Sequence, residues 1–263
     1  MGNNLYEEIQ NFSPAYSIYV ILFAYLLSIK MSENIIFTIP ADFERFLATV
    51  DNNYRQQLLT IDLFNDVKTA ALNPMQKKKF AAVFYHIRGH FIDFMWYIAN
   101  FTPDADVKEI ILQNIQEEMG IGSLVSHEKL YERFAKACGV DIHHELVHQT
   151  YFLPFAKEFN KEHLRWLSEH DADEQFVALA SYERLDNIDY VYLDQFANSL
   201  NLPQQAKTFF KVHIHVQHFN STLEKLLPIW KATPKKVVDA FDFIYSHQYR
   251  MWQQLSDIVF TAE

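Results

Sequence analysis

The chain has 263 residues, 49% of them hydrophobic and 16% aromatic, with a formal net charge of −10 and only 5 Gly and 8 Pro. That length buries a substantial core, and so few turn residues exclude a β-sandwich or a doubly wound sheet. The acidic balance excludes a basic phosphate-binding face and with it a nucleic-acid partner. The one basic run, Lys77 to Lys79, reads as a solvated helix face, and the single Cys138 leaves no internal disulfide and fits a reducing, cytoplasmic setting.

Taken from the N-terminus, the first marked element is Ala15 to Ile29, a run without charge. A spanning helix wants about 20 apolar residues, so this run is short. Glu7 and Glu8 stand where a secretory signal would carry basic residues. A buried helix packing on the core is one reading. An accessory extension ahead of a translation start at Met31 is another, and residues 15–29 are also where a membrane contact would arise. Residues 1–39 are therefore set apart as an N-terminal extension with an apolar helix, and residues 40–263 as one helical domain.

Within that domain the pattern predicts helices at 42–50, 52–72, 74–100, 103–119, 126–138, 141–170 with a break, 172–200, 203–231 and 234–260. Asn73-Pro74, Thr102-Pro103 and Thr233-Pro234 each put a capping side chain before a proline suited to the first turn. Gly120, Gly122 and Gly139 mark helix ends, where a residue without Cβ turns left-handed at little cost. Apolar residues recur at helical spacing, as in Val212, Val216, Phe219, Leu223 and Leu226, or Val238, Phe241, Ile244, Tyr245, Trp252 and Leu255. No stretch alternates at a period of two. The expected fold class is all-α, a single compact helical bundle.

The informative residues are ionisable groups on apolar faces. Positions seven apart share a helix face, which sets Glu117 in line with Ile110, Glu118 with Ile111, and Glu183 with Phe176. A buried carboxylate costs several kcal/mol unless a cation, a proton or a metal meets it. For any one of the three, a surface acid with a misjudged phase is the plainer alternative. Along 203–231, Ala206, Phe210, His213, Gln217, Asn220, Glu224 and Leu227 fall on one stripe, polar in its middle and apolar at its ends. A second stripe of Lys211, His215, His218, Thr222 and Lys225 carries two lysines and reads as exposed. His213 is therefore expected to point inward, and His215 and His218 outward. Two Glu and one or two His from different helices, all aimed inward, is the donor set of a carboxylate-bridged iron site.

Three stretches, NIQEEMGIGSLVSHEKLYERFAKACG at 114–139, VALASYERL at 177–185 and FFKVHIHVQHFNSTLEKLLPIW at 209–230, resemble the heme-oxygenase-like diiron oxidases and oxygenases. That family includes the chlamydial death-domain-associating protein. The resemblance covers roughly residues 40–258. It implies a Glu and then a His around a helix–loop–helix, a Glu on a later helix, and a final His-x-x-x-Asp-x-x-His. In this chain it maps the metal ligands to Glu117, His127, Glu183 and His213, with gaps of ten, fifty-six and thirty residues. The last motif departs from the pattern: Gln217 stands at the Asp position and Asn220 at the final His position. Neutral amides are weaker iron ligands than carboxylate and imidazole, so one iron, two irons, or none as in the cofactor-free pyrroloquinoline-quinone synthase type all stay open. A heme role would need a proximal His early in the chain, and the first is His86.

His144-Glu145-Leu146-Val147-His148 matches the HExxH pattern of zinc peptidases. With no predicted strand to bind extended substrate, a polar helix face is the plainer reading. Tyr182, Tyr190, Tyr192 and Trp96 are candidate cavity walls, although rings at helical spacing are core more often. The functional expectation is an iron- and dioxygen-dependent oxidase or oxygenase acting on a small organic acid or amine. The alternative is a metal-free member that binds a ligand or partner, with the zinc peptidase third. A homodimer is the default oligomer.

Overall fold

The computed structural model describes residues 38–121, 125–215 and 218–261; the apolar run at 15–29, Met31, Gly122, Val216 and Gln217 lie outside them. The described residues form α-helices with two short 3-10 turns and no strand. In chain order these are α1 (Ala41–Leu58), α2 (Asp66–Ala70), α3 (Pro74–Phe101), α4 (Ala105–Met119), α5 (His127–Ala137), α6 (Ile142–His148), α7 (Pro154–Glu169), α8 (Ala172–Ser199), α9 (Thr208–His213), α10 (Phe219–Ala232) and α11 (Pro234–Phe260). The all-α expectation holds. No described helix is long and apolar enough to cross a membrane.

Caps explain most boundaries. Asn73 accepts from the Gln76 backbone N–H while the Gln76 side chain accepts from the Asn73 N–H, and Asp171 with Glu174 does the same for α8. Three boundaries differ from expectation; in the first, the predicted helix 52–72 breaks after Leu58 into a 3-10 turn, Asp62–Phe64, and α2. The predicted break near residue 51 is absent, because Asp51 sits inside α1 and binds Arg184 at 2.7 Å and the Tyr245 hydroxyl at 2.8 Å. The predicted helix 203–231 is instead a 3-10 turn, α9 and α10, interrupted after His213.

Three long helices, α3, α8 and α11, pack on one another and carry the core. Phe80, Phe94, Phe134, Phe196, Phe209, Phe241 and Trp252 are all buried between them and their neighbours. One polar hub threads this interior. Asp189 on α8 accepts from the Tyr54 hydroxyl of α1 at 2.8 Å, and from Gln248 Nε2 at 3.1 Å and Trp252 Nε1 at 2.9 Å on α11.

A second polar cluster joins α3, α7 and α11. The His163 ring lies 5.7 Å from His90 and 4.6 Å from His247, centroid to centroid. His90 Nε2 and His163 Nε2 find no hydrogen-bond partner among the described residues. The acids facing the cluster are Asp93, 3.8 Å from His90, and Glu162, 3.3 Å from His247, with Arg250 at 3.2 Å from His247. Burial, then His247 and His90, hold the His163 imidazole well below its usual range. A base depressed in the folded state is neutral there but titrates near 6.5 once unfolded. Stability from this group is complete above that pH and declines as pH falls through it, by at most about 1.4 kcal/mol per pH unit per proton. Melting temperature is expected to drop between pH 7 and pH 5, and His163→Phe to flatten part of that drop. An unchanged slope in the variant would place the sensitivity elsewhere.

Candidate metal centre

The site forms where α4, α5, α8 and α9 meet. Asn114, Glu117 and Glu118 share the last turns of α4, which Gly120 ends at φ 66° with backbone bonds from Gly120 N to Glu117 O (3.0 Å) and Ile121 N to Gln116 O (2.9 Å). That left-handed closure suits a residue without Cβ. Ser126 caps α5 by accepting from Lys129 N, which puts His127 on its first turn. His213 is the last residue of α9, and Glu183, Asp186 and Tyr190 project from α8.

Donor atoms of Glu118, His127 and His213 lie within 4.8 Å of one another. His127 Nδ1 is 2.7 Å from Glu118 Oε1, and His213 Nε2 is 3.9 Å from the same oxygen. His213 Nδ1 sits 2.7 Å from the Phe209 carbonyl. A carbonyl only accepts, so Nδ1 carries the proton and Nε2 faces the cluster with a free lone pair, the tautomer a metal ligand needs. The Tyr190 ring stacks on His213 at 4.1 Å and fixes its plane. Arg88 backs the cluster, with Nη2 3.8 Å from Glu118 Oε2 and Nη1 3.0 Å from Glu128, under the rings of Tyr131 and Phe209.

Electrostatics separate the carboxylates. Burial would raise Glu118, but the bond from His127 and the nearness of His213 outweigh it and hold the group well below the carboxylate range. Glu183, 3% exposed, is pushed up to about 8 by burial and the nearby Glu118 charge, against a 2.8 Å bond from Asn114 Nδ2. Burial and Glu183 likewise raise Asp186 well above its ordinary value. Two small cavities adjoin the cluster. One of about 40 Å³ is walled by Phe84, Ile87, Phe91, Tyr182, Leu193 and Trp252, with Arg88, Glu118 and His213 at its polar end. The other, about 20 Å³, is lined by Glu118, Glu183, Asp186, His213 and His218 among others.

The expected ligands thus separate. His127 and His213 come together, Glu183 lines the adjacent cavity, and Glu117 does not join them: its side chain is 38% exposed and faces His218 at 3.5 Å. The neighbouring Glu118, also on an apolar line in the sequence, takes the central place. Asn220 is exposed and outside the cluster, because the interruption after His213 rotates the following helix and removes Asn220 and Glu224 from the buried face. The same rotation buries Thr222 and brings His218, expected outward, to the cavity wall; His215 stays exposed. Tyr182 and Tyr190 line the first cavity, whereas Trp96 is 41% exposed and Tyr192 packs on Phe64. Asp186 escaped the sequence reading although it stands one turn after Glu183.

The HExxH residues do not form a peptidase site. His144 and His148 are exposed, while Glu145 is buried, accepting from the Tyr151 backbone N–H at 2.6 Å and pairing with His86 Nε2 at 2.8 Å. The glutamate that would act as base faces the core, away from the histidines. Glu145→Ala is expected to lose about 1–3 kcal/mol in urea denaturation through unpaired buried donors, while His144→Ala and His148→Ala stay within about 0.5 kcal/mol of the parent. Equal effects from all three changes would contradict this division.

One carboxylate and two imidazoles, one of them locked with its lone pair inward, fit ferrous iron well. Comparison with known proteins agrees in kind. A family model described as an iron-containing redox enzyme matches residues 78–227 of the 263. No curated protein matches. Two crystal structures of a CADD-like protein of unknown function from Nostoc punctiforme are similar in fold. One gives a TM-score of 0.60 at 14% identity, covering 83% of this chain and 98% of that one; the other gives 0.58 at 15%, covering 82% and 99%.

Proposed function

Since the chain belongs to the heme-oxygenase-like family of iron-containing redox enzymes, we propose that it is an oxidase or oxygenase that holds ferrous iron on Glu118, His127 and His213 and combines dioxygen with a small organic acid or amine. The observation that carries this reading is the convergence of those three donors from three helices within 4.8 Å, beside an aromatic-walled cavity. Iron held there would supply the one-electron redox chemistry that dioxygen needs to react with an ordinary organic molecule.

The chain's own residues prepare that chemistry. Phe209 O orients His213, and Tyr190 clamps its ring. Arg88 holds Glu118 Oε2 by charge while Oε1 turns to the histidines. Among these side chains Glu183 keeps a proton near neutral pH, and because Oε1 accepts from Asn114 that proton rests on Oε2. The cavity of about 40 Å³ has room for dioxygen or a few waters, at about 10–15 Å³ each. A larger substrate must therefore displace side chains such as Phe91 or Tyr182, and their rings would shield the reacting centre from water.

The test is anaerobic reconstitution with ferrous iron, metal analysis after desalting, and oxygen uptake with panels of small acids and amines. At least one iron per chain and substrate-dependent uptake are expected. Protein that retains no iron would sink the reading in favour of a metal-free binding role.

A further inference from the structure

We propose that Arg88 anchors the carboxylate of the substrate, so that the centre takes small organic acids rather than amines. This rests on the oxidase reading above, and it names the substrate class and the residue that selects it.

Arg88 lies on α3 at the polar end of the cavity of about 40 Å³, beside Glu118 and His213. Its side chain is 7% exposed. A guanidinium carries five N–H donors and stays charged at any working pH. Among the described residues one hydrogen bond uses them, from Nη1 to Glu128 at 3.0 Å. Nη2 faces Glu118 Oε2 at 3.8 Å, an attraction of charge beyond hydrogen-bond range. Nε is buried and has no partner among the described residues. The rings packed on the group supply no acceptor. Tyr131 and Phe209 lie 5.0 and 4.9 Å from the guanidinium carbon, and the Tyr131 hydroxyl is turned to the Ala81 carbonyl at 2.7 Å.

A buried donor without an acceptor is costly, and more so when it is charged. Nε and Nη2 share one edge of the planar group, an edge that takes both oxygens of a carboxylate. A protonated amine brings only donors and would face a cation there. The acids on the same wall are mostly spoken for. Asp189 is filled by three donors at 2.8–3.1 Å, and Glu118 is met by His127 at 2.7 Å. Asp186 is the acid left on that wall, and an amine seated on it is the rival outcome. Away from Arg88 the cavity is walled by Phe84, Ile87, Phe91, Leu193 and Trp252, which suits an apolar carbon chain. An acid held on Arg88 would set its head group beside Glu118 and its chain against those rings.

The probes are butyrate, butyramide and butylamine, titrated by calorimetry into the metal-free full chain. Butyrate is expected to bind about ten-fold or more tighter than butyramide, the gain of a charge-assisted pair over a neutral one, and butylamine more weakly than either. Arg88→Lys keeps the charge without the fork. It should cut the preference for butyrate while leaving butyramide affinity close to the parent's. The ligand series is read on the parent, so it decides the matter even if the variant fails to fold. Equal binding of acid and amide, binding of neither, or tighter binding of the amine would overturn the anchor. An unchanged preference in folded Arg88→Lys would do so too. Iron retention is read separately. Acid preference without iron would keep the anchor and remove the oxidase reading, and iron without acid preference would do the reverse.

Discussion

Glu118→Gln is expected to lower ferrous-ion affinity by at least about 100-fold, the upper end of what loss of an outer partner alone costs a metal site. His213→Ala should do the same, whereas Glu117→Gln should hold iron within about 10-fold of the parent, as an outer-sphere change would. The contrast follows from position. Glu118 Oε1 meets His127 at 2.7 Å and His213 at 3.9 Å, while Glu117 has a side chain 38% exposed and among the described residues reaches only His218 and Gln113. Metal-free stability provides an independent check. Glu118 is held low by its histidine partners, so the stability it contributes is present above the ordinary carboxylate range, near 4.3, and is lost as pH falls below it. Glu118→Gln should therefore destabilise the metal-free protein at neutral pH, by about 1–3 kcal/mol, and lessen its acid sensitivity. If Glu117→Gln abolished binding and Glu118→Gln did not, the ligand order would revert to the one the family pattern implies.

That one-residue shift illustrates what sequence reasoning reaches and where it stops. The helical class was legible because capping pairs such as Asn73-Gln76 and the apolar stripes of α11 act locally, within a few residues. His213 was legible for the same reason, lying within one unbroken stretch of helical phase. Asn220 and His218 were not, because phase was carried through the interruption after His213 as though the helix continued. An error of one or two residues in phase exchanges the buried and exposed faces of everything that follows. Choosing between adjacent Glu117 and Glu118 is a still finer question, a rotation of about 100° on one helix, and in the structure α5 delivers His127 to Glu118. Asp186 was missed for a different reason. It sits on α8 among Tyr182, Glu183 and Asp189, a helix buried around much of its circumference, so no polar face stands out against an apolar one.

Two acids on α8 should respond in opposite directions to substitution. Asp189→Ala is expected to cost about 3–5 kcal/mol, because breaking a buried polar network strands the partners left behind. Here those partners are the Tyr54 hydroxyl, the Gln248 amide and the Trp252 indole, of which Trp252 and Tyr54 are 1% exposed. Each stranded donor loses a bond that water has no room to replace, and the truncated side chain adds a small void. Asp189→Asn should cost less, since the amide oxygen still accepts, though its NH₂ meets groups that are themselves donors. Asp186→Asn should cost nothing or stabilise the metal-free chain. Urea melts at neutral pH measure both, and with the slope unchanged the midpoint shift reports stability directly. Equal losses at the two positions would mean that Asp186 is also held by the protein. The expected split follows from partners: α8 supports the fold through Asp189, which three donors satisfy, while Asp186 receives no such bonds from the described residues.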